Sequence, residues 1–191
     1  MKHFNIHSLS RTNVLAGATM AMGDLAALLG KLPPPGSPSL VVLDFREISV
    51  ATASYLREFV IGFRDFTRRN RPDLFPAVAN ASPTVTEELA GLLLGIRDAI
   101  VVCQHDGTRL RKARLLGVLD EKERVTLDAV LDSPDIDAAT LMAKSRDSDE
   151  VTANAWNNRL AGLVAKRLVI ETRNGRTKRF TPVIKELENG C

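Results

Sequence analysis

Residues 151–183, VTANAWNNRLAGLVAKRLVIETRNGRTKRFTPV, change period halfway along, and that change restricts what they can fold into. From Trp156 the apolar residues Leu160, Leu163, Val164 and Leu168 recur on one face of a helix that turns once in about 3.6 residues. From Val169 the pattern reads IETR, then Asn174-Gly175, then RTKRFTPV. Asn-Gly between two β-capable runs predicts a hairpin closed by a type I′ turn, whose two central residues both need positive φ. The stretch therefore reads as an amphipathic helix followed by a two-stranded ribbon. Trp156 shares a face with Leu160 and Leu163 and belongs with the core. At about 100° per residue, this register turns Asn154, Asn158, Ala161, Gly162 and Ala165 outward.

The same stretch concentrates charge. Arg159, Lys166, Arg167, Arg173, Arg176, Lys178 and Arg179 face a single acid, Glu171, giving a net of +6 that leaves −3 for the rest of a chain of overall charge +3. Six net charges on one helix and ribbon exceed what solubility requires and point to a polyanionic partner. Asparagine can bond adenine N6 and N7 in the major groove, and small outward residues let a helix lie deep in it. The candidate DNA-binding residues are Asn154, Asn157, Asn158 and Arg159 on the helix, Lys166 at its end, and Arg173, Arg176, Lys178 and Arg179 around the ribbon. The ribbon cations read as phosphate or minor-groove contacts. The competing readings are a small-residue stripe that receives another helix and a solvated hairpin.

A helix followed by a basic hairpin resembles the recognition helix and wing of winged helix-turn-helix DNA-binding domains, most closely those of the multiple-antibiotic-resistance and arsenic-repressor regulator families. RLAGLVAKRLV stands in the place of the leucine-spaced helix end and NGR at the wing tip. The resemblance implies double-stranded DNA as partner. Regulators of this kind are commonly homodimers, although no long heptad run is present here to enforce one.

The preceding residues have a different rhythm. A helix is expected over residues 12–32, stopped by PPPGSP, and SLVVLDF reads as a strand buried on both faces. Residues 51–69 return to helical spacing through Leu56, Phe59, Val60, Phe63 and Phe66, and Pro72 forbids continuation. LFPAVANAS reads as a strand, and PTVTEELAGLLLGIRD as a helix opened by Ser82 or Thr84 with acids in its first turn. AIVVCQ reads as another strand. Strand, helix, strand, helix, strand implies right-handed parallel crossovers. The polar, basic run HDGTRLRKARLL marks the domain boundary, giving domains 1–106 and 107–191. The second domain opens with a helix over 119–131, begun by Asp120, Glu121 and Glu123 and broken at Pro134. DAATLMAKS forms a short helix and RDSDE a turn, so the order is helix, helix, helix, ribbon.

The first half resembles the STAS fold, the sulfate-transporter and anti-sigma-factor-antagonist domain, and more closely a STAS-like family with an apolar strand ending in Asp-Phe and a helix beginning Ser-aromatic-Leu. The matching residues are Leu43-Asp44-Phe45 and Ser54-Tyr55-Leu56-Arg57-Glu58-Phe59, and the match runs over residues 8–104. Arg57 stands where an acid is usual, and Thr52-Ala53-Ser54 replaces the Asp-Ser-Ser of antagonists switched by phosphorylation. The expected fold is thus an α/β STAS-like domain (βαβαβ, mostly parallel sheet) followed by an α+β winged helix. The resemblance implies regulation or partner contact at Ser54 and Asp44, with a kinase-like ATPase or other protein as partner. Residue by residue, a serine at that junction can simply cap the helix, and a carboxylate ending a strand can cap the following turn.

Other chemistry finds no support in the sequence. His3, His7 and His105 are dispersed and form no metal-ligand spacing with Cys103 or Cys191, so neither a metal nor another cofactor is expected. No phosphate loop, nucleophile elbow or paired carboxylates appear, so an enzyme is not expected. No run approaches the roughly 18 apolar residues of a membrane span, and the N-terminus lacks the parts of a signal peptide; a cytoplasmic, reducing location is expected. The leading expectation is a DNA-binding transcriptional regulator whose STAS-like domain senses a signal or binds a partner. The alternative is a non-enzymatic interaction or scaffold subunit whose winged helix docks protein or binds nucleic acid without specificity.

Overall fold

Val41, Val42 and Leu43 are all fully buried, so the strand that carries them has core on both faces. This strand, β3 (Ser39–Asp44), pairs in parallel with β1 (Lys2–Asn5) on one side and β5 (Leu74–Ala79) on the other. β6 (Ala99–His105) continues the parallel sheet, and β7 (Leu110–Gly117) closes it antiparallel, in the order β1-β3-β5-β6-β7. The computed structural model describes residues 1–144, 152–185 and 187. Contacts divide the chain into two compact units, with Met1–Val118 as the body of one and Leu119–Glu186 as the other. The first is an α/β fold with a mostly parallel central sheet and several helices. No described helix is long and apolar enough to cross a membrane.

Helices α1 (Ile6–Ser10), α2 (Ala18–Leu29), α3 (Ala53–Leu56), α4 (Gly62–Asn70) and α5 (Pro83–Gly95) complete this unit. Tyr55, Phe63, Leu89 and Leu93 of these helices share one buried apolar cluster with Leu43, Val78 and Ile100 of the sheet. A π-helical turn, Arg57–Ile61, joins α3 to α4, so the helix expected over 51–69 runs from 53 to 70 with one widened turn. Ser82 caps α5 by accepting from the Val85 amide at 3.3 Å, and Pro83 follows at the first helical position, where its missing N–H costs nothing. That start leaves Glu87 and Glu88 beyond the first turn, where acids were expected to lie.

Three further differences have physical causes. The helix expected from residue 12 begins at Ala18, because Gly17 at φ 82° ends the approach, and Val14–Leu15 (β2) instead pairs with Val50–Ala51 (β4). β1 was not anticipated: four residues hold too little alternation to be read. The basic run expected to mark a boundary at 106/107 is the edge strand β7, and the two units divide at Val118 and Leu119. Gly117 ends that strand at φ +101°, where an added Cβ would collide with the Asp98 carbonyl oxygen.

In the second unit, α6 (Glu121–Asp132) opens with a capping box. The Glu123 amide donates to Asp120 Oδ1 at 2.7 Å, and the Asp120 amide donates to Glu123 Oε2 at 3.1 Å. Ile136 then exchanges backbone hydrogen bonds with Phe180, at 3.1 and 2.8 Å. α7 (Ala138–Lys144), α8 (Ala153–Ala165) and the antiparallel pair β8 (Val169–Asn174) and β9 (Thr177–Pro182) follow. The turn expected at residues 146–150 lies outside the described residues. Asn174 pairs with Thr177, so the two-residue loop is Gly175-Arg176, one residue later than the expected Asn174-Gly175. Gly175 has φ 62° and Arg176 is not among the residues with positive φ, so the turn is not the type I′ form.

Candidate functional site

The outward side of α8 and the β8–β9 tip form the first candidate site. Thr152 caps α8 by accepting from the Ala155 amide at 3.3 Å, which sets the register for the whole helix. Trp156, Leu160 and Leu163 are buried, Asn154 and Asn158 are exposed, and Asn157 and Arg159 are half-exposed. The Arg159 guanidinium lies 5.0 Å from the Trp156 ring centroid, a cation–π contact that holds its stem along the helix.

The expected basic residues do not behave alike. Lys166 sits 3.6 Å from Glu123, with both side chains largely buried, and ties the end of α8 to the start of α6. Arg179 donates to the Asp135 carbonyl at 3.0 Å and pairs with Asp137 at 3.6 Å, pinning β9 to the α6–α7 connection. The Asp137 carboxyl is held below its ordinary value by the Thr140 amide and hydroxyl, against burial, with Arg179 adding its charge. Lys178 and Arg173 share Glu171, at 3.1 and 4.0 Å. Arg167 is buried, at φ 62°, and so is not available to the outer surface. Arg176 is exposed at the second position of the turn. The outward basic set is therefore Arg159, Arg173, Arg176 and Lys178.

The second candidate site lies at the carboxyl ends of the parallel strands, where α/β sheets place ligands. Asp44 ends β3, Asn80 follows β5 and His105 ends β6. Asp44 is buried, and its Oδ1 accepts from the Arg46 amide and from Asn80 Nδ2, each at 2.9 Å, while Oδ2 accepts from His3 Nε2 at 2.8 Å. Burial raises the Asp44 carboxyl, but these hydrogen bonds and the Arg46 charge outweigh it and hold the group below its ordinary value. The expected turn-capping role is present, and it is one of three bonds.

Asn80 also clamps His105. Its Nδ2 donates to the His105 carbonyl at 3.0 Å and its Oδ1 accepts the His105 amide at 3.0 Å, while the Arg46 guanidinium donates to the same carbonyl. The His3 and His105 ring centroids are 4.6 Å apart. Donor atoms of His3, Asp44 and His105 all lie within 4.8 Å of one another. Beside them a cleft of about 680 Å³ opens between the start of α5 and the β6–β7 pair, with Arg46, Arg111, Lys112 and Arg114 on its walls against Asp106. The Cys103 thiol also lines it and is pushed up to about 11 by burial and the Asp44 charge, which keeps it protonated and unreactive near neutrality.

No family model matches the chain, and no curated protein or solved structure does either.

Ser54 is exposed, and the helix cap expected of it falls on Thr52, whose hydroxyl accepts from the Tyr55 amide at 3.3 Å. The Ser54 hydroxyl lies 3.0 Å from that of Thr52, and the Ala53 amide beside it donates to Glu88 at 3.0 Å. Ser54 and Asp44 are thus not one surface, since Asp44 is buried at the strand ends. Of the residues at those ends, Asp44 was an expected site, His3 and His105 were set aside as too dispersed along the chain to share a ligand, and Asn80 and Arg46 carried no expectation. The position of Asn80 and His105 at the ends of apolar runs was the available signal. His3 had none, because its strand was not detected.

Proposed function

We propose that the protein is a DNA-binding transcriptional regulator in which residues 119–186 act as a winged helix and the α/β unit, read as a STAS-like domain, receives the signal or partner. One observation carries the reading: α6, the Ile136 bridge, α7, α8 and the β8–β9 hairpin follow in that order, and α8 turns Asn154 and Asn158 to solvent. A helix so exposed suits the major groove, with Arg173, Arg176 and Lys178 on neighbouring phosphates. The basic cleft at the strand ends supports an input role for the first unit. Exposed Ser54 is a second place for input: a phosphate there, of charge about −1.5 to −2, would compete with Glu88 for the Ala53 amide.

A salt titration of binding to duplex DNA tests this reading. Each phosphate contact adds about 0.9 to the slope of log affinity against log salt, so the four outward cations predict a slope of magnitude about 3 to 4. Retention without salt dependence, or no retention at low salt, would overturn it. The docking-module reading draws on a specific observation too: Lys166, Lys178 and Arg179 are each paired with an acid of the same unit, which lowers the positive field of the surface.

A further inference from the structure

We propose that His3, Asp44 and His105 form a binding site for a divalent first-row transition ion of the zinc class. Two imidazoles and one carboxylate are a donor set such ions accept, with remaining positions left to water or another ligand. Three donor atoms within 4.8 Å of one another can converge on one ion at about 2.0–2.2 Å from each with small side-chain movements.

Two independent features point to a ligand there. His105 is 3 % exposed, and neither of its ring nitrogens has a hydrogen-bond partner among the described residues. A buried imidazole without partners is costly, and coordination satisfies one nitrogen directly. The second feature is the support around the donors. Asn80 Nδ2 and the Arg46 amide both occupy Asp44 Oδ1, which leaves Oδ2 to coordinate. The same Asn80 fixes the His105 backbone through two further bonds, so one side chain positions two of the three donors. Half-exposed His3 supplies the way in. Its Nε2 now donates to Asp44 Oδ2, so binding moves the imidazole proton from Nε2 to Nδ1 and gives the Nε2 lone pair to the ion. The site stands on these residues alone and does not depend on the DNA-binding reading.

The 191-residue chain, treated with a chelator and dialysed, is titrated with Zn2+ in a calorimeter and with Co2+ by visible absorption. The expected result is saturable one-to-one binding with cobalt bands of nitrogen and oxygen coordination. His3→Ala should weaken it at least about a hundredfold, because partners outside the coordination sphere alone are worth 10–100-fold. His7→Ala should leave it unchanged, since His7 pairs with Glu47 outside the cluster. His105→Ala should weaken it at least as much, and circular dichroism checks its fold; His3→Ala, at the surface, keeps the test valid if His105→Ala does not fold. Absence of saturable binding, unchanged binding in folded His3→Ala, or a thiolate-to-cobalt band indicating cysteine ligands would each overturn the proposal.

Discussion

Arg176 and Arg179 stand three positions apart in one hairpin and meet different surroundings. Arg176 is exposed at the turn, whereas Arg179 reaches Asp135 and Asp137. On the proposed DNA-binding reading, Arg176→Ala is therefore expected to lower the salt slope of binding by about one unit without changing the melting temperature. Arg179→Ala should lower the melting temperature and change the slope little. The reverse pattern would place Arg179 on DNA and remove its tether role. Trp156 is 3 % exposed beside Leu160 and Leu163, so Trp156→Ala should cost about 3–5 kcal/mol of stability in denaturant unfolding. A parental midpoint for Trp156→Ala would mean that its face of α8 is not core.

At the scale of elements, caps decide where helices begin. Thr52 serves two neighbours, accepting from the Tyr55 amide that starts α3 and from the Gly17 amide that precedes α2, each at 3.3 Å. Thr52→Ala should therefore destabilise by about 1 kcal/mol or somewhat more. Ser54→Ala, which removes a hydroxyl bonded, among the described residues, to that of Thr52, should cost a few tenths of a kcal/mol. Thermal melts of the two variants check the order, and equal losses would return the cap to Ser54. The spacing of Phe59, Val60 and Phe63 made the long helix legible, but it could not show the π turn at Arg57–Ile61. That turn is a choice of backbone hydrogen-bond partner made under packing against α2, and no periodicity records it.

For the molecule as a whole, acid is the informative perturbation, because carboxyls in both units are held below their ordinary value. The Arg71 side chain lowers Asp73 most, opposed by burial and assisted by the Gly36 amide, and Thr140 does the same for Asp137. A carboxyl whose folded pKa lies below its unfolded value contributes stability above the unfolded value, here 3.8, and loses it as pH falls through the folded one. The denaturation midpoint should fall as pH drops from about 5 to about 2. Asp73→Asn should start lower at neutral pH and fall less over that window; parallel curves would show that the pair with Arg71 contributes nothing.

What the sequence determined by itself was local: the helical spacing that buries Trp156, Leu160 and Leu163, the apolar runs of β3, β5 and β6, the stop at PPPGSP and the presence of a hairpin at residues 169–182. Each depends on residues within a turn or two of one another, and such neighbours write a period. Tertiary structure alone decided that Lys2–Asn5 joins the sheet, that 110–117 closes it, and which cations of the basic stretch meet acids. It also brought His3 to Asp44, 41 positions away, and both to His105. Such meetings follow from strand order and register, which are set by loop closure and burial over the whole sheet, so no spacing along the chain encodes them.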